Sequence, residues 1–295
     1  MSNPATTSIK EQNKSAASSL FRRNVRKFMN NKLALLGLVV VVAITIACVI
    51  GFIAGVDFNT PVLPDMKKPP SSVHLFGTDT IGRDLFARVL VGGCYSILIG
   101  VFCAVMSSVI GAALGAVAGY FGGRVDGSIM RCMDIMLSIP SILLAITLMA
   151  ALGKGLDKAV IAIGTVSIPE YARIVRSSIL SVKENDYVAA AKVIGNSDGR
   201  IIFRHILPNV VSSIVVRATL GISTAILDTA ALGFLGMGVQ PPMAEWGDML
   251  GRARTYIFSA PYTLIFPGLA ITIAVLAFNL FGDGLRDALD PKERV

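Results

Sequence analysis

Residues 33–55 run apolar with scarcely a break, and similar stretches recur at 95–119, 135–152, 159–175, 209–232 and 261–281. A helix rises about 1.5 Å per residue, so about 20 such residues cross a hydrocarbon layer about 30 Å thick. Inside that layer every backbone N–H and C=O needs an internal partner, which restricts a chain of this pattern to bundled helices. The sequence therefore predicts an all-α integral membrane protein with six transmembrane helices forming one membrane domain over 33–281. A cytoplasmic tail precedes it at 1–32, and a second follows at 282–295. A mean hydropathy of +0.69, with only 16% charged residues, separates the chain from soluble domains. The first run is longer than a signal-peptide core and follows a polar tail, so it reads as a retained span.

Lys and Arg number 27 against 19 Asp and Glu, a net charge of +8. With the N-terminus placed in the cytoplasm, 19 of the 27 basic residues fall on the cytoplasmic side or at Arg217, and 8 fall outside. That bias follows the positive-inside rule and predicts both termini inside. The basic balance thus reads as topology and implies no nucleic-acid partner. The four cysteines, Cys48, Cys94, Cys103 and Cys132, have no Cys-x-x-Cys spacing, which argues against a disulfide framework or metal cluster.

Residues 1–19 are polar and predicted disordered, whereas Phe21, Val25, Phe28 and Met29 form an apolar stripe that suits an interfacial helix over 20–32. The external segment 56–94 begins with prolines and continues through His74 to Asp79. A short amphipathic helix is expected from Gly82 to Val91. His74, Asp79 and Asp84 match no common metal spacing. Span two carries Ser107, Gly111, Gly115 and Gly119 at every fourth position, which lets helix backbones approach closely, here within the chain rather than across a dimer. Pro140 and Pro169 are expected to kink or end their helices. Trp246 is expected to anchor a helix over 244–258 at the outer interface, and Gly282 and Gly284 to end the last span.

Between the fourth and fifth spans lies a polar cytoplasmic loop, 176–208. Asn185 or Asp186 can cap a helix start, and Gly195 suits the left-handed position that ends one. Tyr187, Ala190, Ala191 and Ile194 recur at i, i+3, i+4 and i+7, forming one apolar stripe. Ser197 or Asp198 can cap a second short helix carrying Ile201, Ile202, His205 and Ile206, with Pro208 as its stop. Two short helices remote from any core of their own suit docking into a groove of another protein. The chain itself lacks motor chemistry. Its one Gly-Lys pair, Gly153-Lys154, has neither the upstream glycine nor the following Ser or Thr of a phosphate loop. Hydrolase motifs are missing as well, so catalysis by this chain is not expected.

Ala190-Ala191-x-x-x-Gly195 followed by Leu207-Pro208 resembles the signature loop of bacterial ABC importer permeases, although Ala189 and His205 stand where that family often has Glu and Ile. His74–Asp79 with Gly82-Arg83-Asp84, Ala231–Gly238 with Pro241-Pro242, and Asp283–Pro291 are similar to the dipeptide and oligopeptide branch, from about residue 20 onward. The resemblance implies a type I importer permease in a bacterial inner membrane that carries dipeptides. It also implies that Tyr187, Ala190, Ala191, Ile194, Gly195, Leu207 and Pro208 couple to ATPases. The implied partners are a homologous permease forming a heterodimer, two ATPase subunits and an external peptide-binding protein. No cofactor is implied.

Arg217 and Asp228 lie inside the fifth span. Eleven residues return nearly to the same helical face, about 16 Å further along the axis. Charge facing lipid is costly, so both are expected to face the bundle interior. Asp228 is left with two roles, on a translocation path or hydrogen-bonded to neighbours such as Thr224 and Thr229. An ion-gradient-driven secondary transporter is the alternative function, and it would call for inverted repeats or several intramembrane acids. A channel would call for a filter or charged ring. Neither pattern is evident.

Overall fold

The computed structural model describes residues 22–289. Among them the chain is helical, with one isolated bridge between Thr78 and Asp84 and no strand. A helix over 22–30 (α1) stops at Asn31, whose side chain accepts from the Leu33 and Ala34 amides at 3.1 and 3.2 Å and so starts α2, Lys32–Ile53. There follow α3 (Leu85–Phe121), α4 (Gly123–Leu137), α5 (Ser141–Leu152), α6 (Leu156–Lys183), α7 (Asp186–Val193), α8 (Asp198–Ile201), α9 (Leu207–Phe234), α10 (Trp246–Ala253) and α11 (Tyr262–Leu289). The predicted disorder of 1–19, Phe21 of the apolar stripe and the tail beyond 289 lie outside the described residues. Of the rest of that stripe, Phe28 packs edge-on against Phe281 of α11 at 5.8 Å, while Val25 and Met29 stay exposed.

The central element is α3. The expected short helix over 82–91 and the second span are one 37-residue helix, capped by the Asp84 carboxylate, which accepts from the Ala87 amide at 2.9 Å. Its largest contact is with α6. Gly111, Gly115 and Gly119 lie directly on the backbone and Cβ atoms of Tyr171, Ala172, Val175, Arg176 and Ile179. On its other side Gly100 faces Ile222 and Ile226 of α9. The small-residue spacing thus serves packing within the chain.

Four helical stretches are long and apolar enough to cross a membrane: Lys32–Ile53, Leu85–Phe121, Asp198–Phe234 and Tyr262–Leu289. A fifth arises if α4 and α5, bent by 92° at Pro140, count as one span. Among the described residues, length and composition thus give four or five spans and do not confirm the expected count of six. The stretch at 159–175 belongs to a 28-residue helix, α6, that also carries Asp157, Lys158, Glu170, Arg173, Arg176 and Lys183. Its buried apolar residues pack against α3 and α5, while Ile161, Ile174 and Leu180 stay exposed. Pro169 is buried inside α6 and does not end it.

Other expectations are corrected by packing. The last helix runs through Gly282 and Gly284 to Leu289. Those glycines lie against Leu220 of α9 and Ala34 of α2, so they serve close approach and not termination. Trp246 is only 1% exposed, and its indole N–H donates to the Val89 carbonyl at 2.8 Å. It is a core residue, not an interfacial anchor, and the helix there is shorter than 244–258. In the segment 56–94 His74 is hydrogen-bonded through Nδ1 to Asp84 at 2.8 Å, while Asp79 pairs with Arg83 Nε at 2.7 Å. The trio thus divides between two structural contacts.

Candidate functional site

The polar loop between α6 and α9 folds into a compact insert. Asn185 occupies the first cap position of α7, and Asp186 brings a carboxylate to the positive end of that helix. At the other end Gly195 has φ +85°. Its amide donates to the Lys192 carbonyl at 3.0 Å, and the Asn196 amide donates to the Ala191 carbonyl at 3.2 Å. That pair of bonds is the six-to-one, five-to-two closure that needs a left-handed residue. Ser197 then precedes α8.

Residues 202–206 form a π turn, closed by the Leu207 amide on the Ile202 carbonyl, and lead directly into α9. Pro208 therefore opens a long helix instead of stopping a short one. Its ring cannot donate to a carbonyl four residues back, and it is tolerated in a first helical turn.

The faces of the insert differ in their partners. Val188, Ala191, Ile201, Ile202 and Ile206 are buried with Ala116 and Tyr120 of α3 and with Val175 and Ile179 of α6. Ala191 thus turns inward, away from the other members of the predicted stripe. Tyr187 and Ala190 are exposed, as are Gly195 and Pro208, and Leu207 is half-buried. The outward apolar surface is dominated by Ile194 at 80% exposed, with Val193 at 88% and Phe203 at 75%. Val193 and Phe203 were not singled out from the sequence, since neither falls on the i, i+3, i+4 pattern. Each such side chain would gain about 1.5–3 kcal/mol on full burial. Two polar contacts fasten the insert's base: the Tyr120 hydroxyl donates to Asp198 Oδ1 at 2.5 Å, and Lys183 Nζ donates to the Tyr120 carbonyl at 2.5 Å.

A second polar locus follows α9. Arg217, Gly221, Thr224 and Asp228 fall at i, i+4, i+7 and i+11 on one face. Arg217 forms an ion pair with Glu170 of α6, a partner the sequence reading did not anticipate, and its guanidinium lies 5.4 Å from the centre of the Tyr171 ring. Arg217 also lines a cavity of about 440 Å³ with Ser212, Ser213 and Arg286. Asp228 is half-buried and, among the described residues, receives no hydrogen bond or ion pair. Thr229 donates instead to the Ala225 carbonyl at 2.7 Å, and Thr224 to the Leu220 carbonyl at 3.5 Å. The suggested threonine partners are thus engaged with their own helix.

Residues 111–295 match the family profile described as the binding-protein-dependent transport system inner membrane component. Residues 19–70 match the N-terminal TM domain of oligopeptide transport permease C. The chain is 45% identical over 290 residues to the dipeptide transport system permease protein DppC of Alkalihalophilus pseudofirmus, covering 98% of this chain and 95% of that one. It is 46% identical over 269 residues to the glutathione transport system permease protein GsiD of Escherichia coli, covering 90% and 89%. A solved structure of the MetNI methionine ABC transporter, in an inward-facing conformation, superposes with a TM-score of 0.58 at 20% identity. The match spans 70% of this chain and 97% of that chain, and it speaks to the fold.

Proposed function

The chain belongs to the binding-protein-dependent transport system inner membrane components, and from that premise we propose that it carries short peptides, dipeptides first, as half of a translocation pathway. The chain is a permease subunit of an ABC importer, and ATP hydrolysis falls to separate subunits. The substrate class draws on the names of the relatives, one a dipeptide permease and one a glutathione permease. Both are permeases for short peptides, and the dipeptide relative covers more of this chain. In this reading a homologous permease completes the pathway, two ATPases dock from the cytoplasm, and a periplasmic binding protein delivers cargo. The protein sits in the bacterial inner membrane with both termini inside.

The observation that carries the coupling role is the outward patch of Tyr187, Ala190, Val193, Ile194 and Phe203 on an insert whose opposite face is already packed. An ATPase groove covering that patch would remove three large apolar side chains from water. Movement of the docked pair would then tilt α6 and α9, the helices that flank the insert, as largely rigid bodies. Asp228, half-buried on the polar face of α9 and without an ion partner among the described residues, supports a place on the peptide's path, where a carboxylate suits an amino group.

The test is a photo-crosslinking amino acid at Ile194 in the assembled importer. Adducts are expected with the ATPase subunit in intact membranes. Adducts confined to lipid or to this chain would remove the docking role.

A further inference from the structure

An insert that docks an ATPase passes movement into the bundle through its contacts with α3 and α6. Resting on the docking role proposed above, we propose that the Tyr120–Asp198 hydrogen bond is the latch that transmits the insert's movement to α3. Among the described residues it is the only hydrogen bond joining 185–206 to a helix outside the flanking α6 and α9. Everything else that links the insert to α3 is apolar contact, through Ala116 and the Tyr120 ring. Apolar contact resists compression but is non-directional, and two such surfaces slide at little cost. A hydrogen bond to a carboxylate has a fixed length and direction and transmits a pull.

The surroundings hold the latch in place. Tyr120 is 7% exposed and stands one residue before the end of α3, with Gly122 at φ +66° turning the chain immediately after it. Lys183, the last residue of α6, donates to the Tyr120 carbonyl, and its ammonium lies 5.7 Å from the ring centre. Asp198 is the first residue of α8, so a shift of that helix is a shift of the carboxylate. The ends of α3, α6 and α8 therefore meet at one tyrosine. Since α3 packs on both α6 and α9, displacement of its inner end reorients the whole bundle. Tyr120 is thus a positioning residue that touches neither nucleotide nor cargo.

Tyr120→Phe keeps the ring and removes only the hydroxyl. The assembled importer, reconstituted in vesicles with its ATPase and binding protein, is to be assayed for peptide moved per ATP hydrolysed, alongside the Ile194 crosslink. In Tyr120→Phe the crosslink and ATP hydrolysis are expected to persist while the ratio falls about tenfold or more, the loss expected of one charge-assisted hydrogen bond. Asp198→Asn is expected to lower it similarly, the double variant no further than either single, and Asp198→Glu to retain most of it. A wild-type ratio in Tyr120→Phe with the crosslink intact overturns the latch alone, as do losses that add in the double variant. A wild-type crosslink that never reaches the ATPase overturns the docking role and the latch with it.

Discussion

Among single residues, Gly195 and Gly284 do different work, and only one is a stop signal. Gly195, at φ +85°, has open space around the position of an added Cβ, so substitution there meets conformational strain and no clash. Gly195→Ala should cost about 1–2 kcal/mol locally. The expected readout is faster hydrogen exchange over 186–196 in an otherwise intact protein, with weaker coupling of ATP hydrolysis to transport. Gly284 has no such dihedral requirement and is placed by the nearness of Ala34. The sequence shows both as glycine near a helix end, and that is why one was read correctly as a terminus and the other was not. Ala191 poses the same difficulty. A short helix carrying apolar residues on most sides has no inherent facing, so the inward turn of Val188 and Ala191 and the outward turn of Val193 and Ile194 depend on α3 and α6. Tyr120 and Asp198, 78 residues apart, offer no local signal at all.

Among the elements, those that are apolar all round were legible because lipid demands that pattern, and α2 and α11 follow it. The helix α6 was legible only in part, because its burial is supplied by a neighbour. The α3–α6 contact is the one most sensitive to volume. A Cβ on Gly115 would lie 3.0 Å from the Arg176 amide nitrogen and from Val175 Cβ, with the Ala172 carbonyl closer still. Backbone atoms cannot step aside as a flexible side chain does. Gly115→Leu is therefore expected to destabilise the purified protein by more than the usual ~1–3 kcal/mol of overpacking, read as a fall in thermal midpoint in detergent. Gly127→Leu, with open space around it in α4, is the control and should leave that midpoint unchanged.

For the whole molecule, the polar face of α9 connects the two proposed roles. Arg217 lines the cavity of about 440 Å³ and is neutralised by Glu170, whereas Asp228 lies further along the same face and, among the described residues, has no ion partner. Asp228→Asn preserves shape and removes charge. Peptide uptake is expected to fall on the order of tenfold, the scale of one charged hydrogen bond, while assembly with the ATPase and its basal hydrolysis persist. Unchanged uptake in the assembled variant would return Asp228 to a purely structural place. That face was visible in the sequence from the eleven-residue spacing. The ion pair with Glu170 was not, since it joins two helices whose mutual rotation no single-chain pattern records.

The widened turn over 202–206 has a further consequence. A helix that is one residue looser at its base leads out of the bilayer at a different azimuth from a regular one, by about 100° per residue. The bearing of the exposed Val193–Ile194 knob therefore depends on the number of residues between Ser197 and Pro208 as well as on the packing of Val188 and Ala191 against α3 and α6. The outward side chains on that handle can vary while its aim persists, whereas a lost or gained residue at its root would point the same handle at the wrong neighbour.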